Sequence, residues 1–161
     1  MTDEDVPDFE RFDHDVAWRV GSALVERCRE RSLPVVISIT LGEQRVFHVA
    51  LPGATADNDS WVDRKARVVR RWDRSSLALA EHYGVDGNPG FYEAFGISRA
   101  DYAPGEGAVP IRVRGALVGV LAVSGLEQGG DHDLAVGGLI AGVEHERTRS
   151  ADGAEGRSTD R

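Results

Sequence analysis

Lys65 is the first residue whose type and position suggest chemistry. The chain carries 19 lysines and arginines, and Lys65 is the only lysine among them. On a helical wheel drawn over residues 58–83, Asn58, Trp61, Val62, Lys65, Val69, Trp72, Ser76, Leu79 and Tyr83 fall within about one 100°-wide sector. Arg64, Arg67, Arg70, Arg71 and Arg74 fall on the opposite side. A lysine inside an apolar stripe has two readings. Its stem packs on the tryptophans while its ammonium reaches water at a sheet edge. Or it points into a pocket or subunit interface with Asn58 and Ser76, where a buried ammonium needs an anionic partner or a shifted pKa. On the second reading Trp61 and Trp72 are apolar walls, and the ligand is a small anion such as a carboxylate.

Other candidates are weaker. His48 lies in an apolar, β-branched run in which Val46, His48 and Ala50 share one face and Phe47, Val49 and Leu51 the other. Both faces are largely apolar, so the strand is expected inside a sheet covered on both sides. His48 then reads as an interior histidine, either satisfied in the core or free to act as a ligand or proton carrier. Cys28 sits on the apolar face of a helix and reads as a small buried hydrophobe. The arginine stripe reads as a solvated face paired with Asp63, Asp73 and Glu81, or as a docking face for an acidic surface. Asp131 and Asp133, after Gly129-Gly130, read as helix caps, with His132 exposed at that turn or packed on a neighbouring loop. Serine-hydrolase, Walker-type and zinc-protease signatures are absent from the sequence.

These residues need elements to hold them. Phe12, Val16, Val20, Leu24 and Cys28 recur every four residues, which predicts a helix over about 11–31, stopped by Pro34. Residues 35–40 and 44–51 read as strands around the turn Leu41-Gly42-Glu43. Asp57, Asn58 and Asp59 offer caps for a helix over 58–83. A glycine- and proline-rich loop follows over 84–107, with a short helical turn at 91–95. Residues 109–114 read as an edge strand and 117–124 as a central one, before a last helix over about 131–147. The order α-β-β-α-β-β-α predicts an α+β fold with an antiparallel sheet. Residues 9–147 form the single domain, and 1–8 and 148–161 are expected to be disordered tails.

Composition narrows the function. A net charge of −8 argues against nucleic-acid binding. A single cysteine excludes an internal disulfide framework and a multi-cysteine zinc site. No apolar run is long enough for a membrane span, and the acidic start is unlike a secretory signal, so the expected location is cytoplasmic.

Three segments together carry a family resemblance. They are TADNDSWVDRK at 55–65 continuing through Arg74-Ser75-Ser76, GAVPIRVRGALVGVLAVSGL at 107–126, and DHDLAVGGL at 131–139. In this order and spacing the chain resembles the haem-degrading-domain family, in its cytoplasmic branch, over about residues 9–147. The resemblance implies a profilin-like fold, with about five antiparallel strands between helical layers, and homo-oligomers built from dimers. It also implies haem as cofactor, with binding or weak degradation as the activity. Glu106 interrupts the glycine-rich approach to Pro110, and Trp72 and Leu77 depart from the expected phenylalanine and tyrosine. None of the five histidines falls in a motif that fixes an axial ligand. Three functions therefore stand at this level: a haem-handling protein, a non-catalytic oligomeric accessory protein using the same residues as an interface, and an enzyme acting on an acidic metabolite.

Overall fold

The computed structural model describes residues 1–85, 88–126 and 130–155. A single 3-10 turn, Asp3–Asp5, leads into β1 (Asp8–Phe9) and α1 (His14–Glu30). The hairpin β2 (Val36–Leu41) and β3 (Gln44–Ala50) follows, then α2 (Ala56–Trp72), α3 (Ser76–Tyr83) and the short α4 (Phe91–Ala94). The hairpin β4 (Ala108–Val113) and β5 (Ala116–Ser124) and the long α5 (Gly130–Glu155) complete the chain. The sheet runs β1-β4-β5-β2-β3. Four strands pair antiparallel, as expected, but the fifth, β1, pairs parallel with β4, so the sheet is mixed. It is too short for its two residues to show as a pattern, and it lies in and beside the stretch expected to be a tail. β4, predicted at an edge, is therefore paired on both sides at Arg112 and Val113.

Strand alternation divides the core. Val35, Ile37 and Ile39 point to one face and pack with Val16, Val20 and Leu24 of α1 and Leu134 and Leu139 of α5. Val36, Val120 and Ala122 point to the other face and pack with Val62, Ala66 and Val69 of α2. Each fully buried Val or Leu contributes about 1.5–3 kcal/mol relative to an exposed one. Cys28 is fully buried within the first cluster, and burial pushes its thiol pKa up, so it is a packed and unreactive group.

Local chemistry sets the ends of the helices. Asp13 accepts a hydrogen bond from the Val16 N–H at 3.0 Å and caps α1, leaving Phe12 outside the helix. Thr55, not the Asp57–Asp59 group, caps α2, and the Asn58 side chain returns to accept from the Thr55 N–H at 2.9 Å. The helix expected over 58–83 is broken. Asp73 adopts the left-handed conformation at φ 50°, and Ser75 starts a new helix by accepting from the Ala78 N–H. α5 continues past the expected end at 147 to Glu155, while residues 156–161 of the expected tail lie outside the described residues. The N-terminal stretch is likewise engaged. The Met1 ammonium meets Asp133 at 2.9 Å, and the Asp3 carboxylate accepts from the Ser75 N–H.

Candidate functional site

Lys65 is buried, with 6% of its surface exposed. Its ammonium lies 3.3 Å from Asp131 Oδ2 and donates to the Val123 carbonyl at 3.4 Å. Three elements converge here: the middle of α2, the end of β5 and the first turn of α5. Asp131 is not the simple cap expected from sequence. It is 5% exposed, and its carboxylate accepts from the Leu126 N–H at 2.9 Å and the Gly125 N–H at 3.3 Å as well as from Lys65. The arrangement ties the loop after β5, the last helix and α2 to one ion pair.

Gly107 makes room for this pair. Its φ is 113°, and a Cβ there would run into the Val123 carbonyl oxygen and come within 3.0 Å of Lys65 Nζ. Only glycine fits at that position without displacing the ammonium. Burial pushes the Lys65 pKa down, while Asp131, by charge and hydrogen bond, and Glu106, by charge, oppose that shift. The ammonium has three donors. Two have acceptors among the described residues, the Asp131 carboxylate and the Val123 carbonyl.

Lys65, Asp131, Asn58 and Trp61 line a cleft of about 810 Å3 that also takes in Leu77, Ala80, Val85 and Leu126. The Trp61 ring centroid is 5.8 Å from Lys65 Nζ, and its indole N–H donates to Asp57 at 3.0 Å, which holds the ring as one wall. Glu81 and Glu106 also line the cleft. No histidine, cysteine, methionine or tyrosine is among the described lining residues.

Three sequence-predicted site residues lie elsewhere. Trp72 packs at the end of α2 against Phe91, Phe95 and Tyr102, about two helical turns beyond Lys65 on the same helix and so past the cleft. Ser76 is fully buried, and its hydroxyl both accepts from the Ala108 N–H at 3.1 Å and donates to the Ala108 carbonyl at 3.3 Å. That reciprocal bond fastens α3 to β4. His48 is exposed, not interior, because β3 is the sheet's free edge, and only Phe47 is buried in that strand. Its Nε2 sits 3.0 Å from Asp59. Asn58 reaches the cleft, but its side-chain oxygen is occupied by the helix cap.

The outer arginines are not simply paired with their helix neighbours. Arg67 donates to the Asp101 carbonyl, Arg71 to the Phe95 carbonyl and Arg64 to the Arg99 carbonyl, holding the long loop against α2. Of the two readings of His132, exposed or packed, the structure takes the packed one. It is 1% exposed, and neither ring nitrogen has a hydrogen-bond partner among the described residues. Trp18 is 65% exposed on α1, a feature that helix periodicity does not show, since the pattern alone does not distinguish a bare aromatic from a packed one.

Comparison with known proteins agrees with this architecture. A UPF0303 protein of Rhizobium johnstonii is 45% identical over 137 residues, covering 84% of this chain and 83% of that one. A UPF0303 protein of Streptomyces avermitilis is 46% identical over 129 residues, covering 80% and 78%. Among solved structures, the Ybr137w protein superimposes with a TM-score of 0.79 at 28% identity, over 89% of this chain and 84% of that one. PduOC in complex with haem gives 0.68 at 20% identity, over 82% and 94%, and at that identity the likeness is one of fold. The family model for haem-degrading HbpS-like proteins matches residues 12–140. The chain belongs to the HbpS-like haem-degrading protein family.

Proposed function

We propose that this protein binds a planar, largely apolar small molecule in the Lys65 cleft, with Lys65 donating to an inward-facing carboxylate or carbonyl oxygen. One observation carries the reading. A buried ammonium with a donor to spare stands beside an aromatic wall in a cleft of about 810 Å3, inside the range of cofactor and substrate sites. Asp131 neutralises most of the lysine's charge, so the site offers a directed hydrogen bond rather than a strong positive field. Glu81 and Glu106 disfavour a second anionic group entering beside the first.

Haem, the ligand in the family's name, would meet this cleft through its ring and one propionate, but not by iron ligation. Haem iron is held by histidine, cysteine, methionine or tyrosine, and none of these is among the described lining residues. Haem here is cargo held by its ring and carboxylate, and no redox step is derived from it. Titration of the purified protein with haemin should therefore saturate at a fixed stoichiometry with a sharpened Soret band and no spectrum of histidine or thiolate ligation. Featureless, non-saturating absorbance that albumin removes would leave the non-catalytic accessory reading in its place.

A second part of the proposal is assembly of a homo-oligomer from dimers. Trp18 stands 65% exposed beside the free edge strand β3, with Val25, Val46 and Val49 lining the same hollow. A bare edge strand next to an exposed aromatic is the kind of surface that a second copy covers. The sequence pointed instead to the α2 face with Trp61 and Trp72 as the interface, but Trp72 is taken up by the aromatic cluster under the loop.

A further inference from the structure

A second cleft, of about 630 Å3, shares no described lining residue with the Lys65 cleft. It lies over the part of the sheet between α2 and the β2–β3 hairpin. Four guanidinium groups line it: Arg67, Arg70 and Arg71 from α2, and Arg45 from β3. Two carboxylates, Asp63 and Glu43, accompany them, so the lining carries two positive charges in excess on a chain whose net charge is −8.

The way these arginines are held matters more than their number. Arg45 is paired with Asp63. The other three are anchored to neutral acceptors: Arg67 to the Asp101 carbonyl at 3.1 Å, Arg71 to the Phe95 carbonyl at 3.0 Å, and Arg70 to the Gly42 carbonyl at 3.1 Å and the Thr40 hydroxyl at 2.8 Å. A carbonyl fixes the direction of a guanidinium without cancelling its charge. Each guanidinium has five N–H donors, and these anchors take one or two. Arg70 is half-buried, and its pKa is lowered by burial and by Arg67 and Arg45 nearby, against the opposing charges of Glu43 and Asp63. The cluster thus holds like charges together without enough internal counter-charge. The floor adds hydroxyl groups: Ser38 and Thr40 are 4% and 6% exposed, and the Thr40 hydroxyl keeps its own hydrogen free to donate.

We infer that this cleft binds the phosphate of a small phosphomonoester. A phosphate monoester concentrates close to two negative charges on three oxygens, which matches a surplus of two guanidinium charges and hydroxyl donors grouped over one floor. Arginine forks recognise such oxygens two at a time. A dicarboxylate spreads the same charge over two separated groups and matches the cluster less well. The site is independent of the ligand proposed for Lys65.

Calorimetric titration of the purified protein with inorganic phosphate, at fixed ionic strength, tests this. Saturable binding at millimolar phosphate is expected, with succinate at least about tenfold weaker. Arg67→Gln and Arg71→Gln, both at exposed positions, should each weaken phosphate by about tenfold while keeping wild-type helical content without phosphate. The double variant Lys65→Met/Asp131→Asn should leave phosphate affinity unchanged. The inference is overturned by absence of saturable binding, by succinate binding as tightly as phosphate, by undiminished binding in both arginine variants, or by loss of binding in the Lys65 variant.

Discussion

Lys65 and Asp131 are each buried and each other's nearest opposite charge, so their removal is asymmetric in its effects. Taking away one partner leaves an uncompensated charge in a dry site, which costs about 3–5 kcal/mol. We expect Lys65→Ala to lower unfolding stability by that order, and Lys65→Arg not to restore it, since the slot beside Gly107 suits a compact ammonium and not a wide fork. The double variant Lys65→Met/Asp131→Asn should recover much of the loss, because asparagine still accepts from Leu126 and the stranded charge is gone. Chemical denaturation of all variants checks this, and equal, additive losses would contradict a coupled pair. His132 gives a separate pH signature. Burial holds its pKa below 6.5, the nearby N-terminal ammonium lowers it further, and Asp133, Asp3 and Glu106 oppose them. Below pH 6.5 the unfolded chain takes up a proton that the folded chain refuses, so stability falls as pH drops toward the folded value. The slope for one such group is at most about 1.4 kcal/mol per pH unit. His132→Leu should flatten the stability profile below pH 6.5, and an unchanged slope there would show that His132 is protonated equally in both states.

At the scale of elements, the break between α2 and α3 decides which residues share a site. Ser76 belongs to the joint that fastens α3 to β4, so Ser76→Ala should strand the buried Ala108 N–H and cost about 1–3 kcal/mol in thermal or chemical unfolding. Ligand affinity in the folded variant should be unchanged, and a selective loss of binding with full stability would return Ser76 to the cleft. The sequence was informative where periodicity carries the signal. The strand hairpins and the place of Lys65 within the apolar stripe of α2 followed from apolar spacing, while the helical layers on both faces were what the family resemblance implied. It was silent where one residue's backbone state decides the outcome. Asp73 in a left-handed conformation interrupts a pattern that otherwise continues to Tyr83, and this misplaced Ser76, whereas Trp72 shares the face of Lys65 but lies too far along α2 to reach the cleft. The partner of Lys65 was hidden for a related reason. An aspartate at the start of a helix has a sufficient local role as a cap, and only the tertiary fold turns Asp131 toward a lysine 66 residues away. His48 was misread because alternation reports which residues share a face, not whether the strand lies at an edge.

For the whole molecule, no helix among the described residues is long and apolar enough to cross a membrane, and two clefts of different character occupy one small fold. Assembly through α1 and β3 should be sensitive to a single charge: Trp18→Glu is expected to shift light-scattering mass toward about 17 kDa without lowering helical content, whereas a wild-type mass already near 17.4 kDa at all concentrations would remove the dimer. The central claim is that the Lys65 cleft holds its ligand by ring and carboxylate, not by iron. The most direct measurement is equilibrium binding of metal-free protoporphyrin beside haemin, to wild type and to the folded Lys65→Met/Asp131→Asn variant. We expect the two ligands to bind wild type with affinities within about threefold of each other, and both to weaken by about tenfold in the variant. Haemin binding far tighter than protoporphyrin, and unaffected by the loss of Lys65, would place the ligand's iron on a different part of this molecule and contradict the cleft assignment.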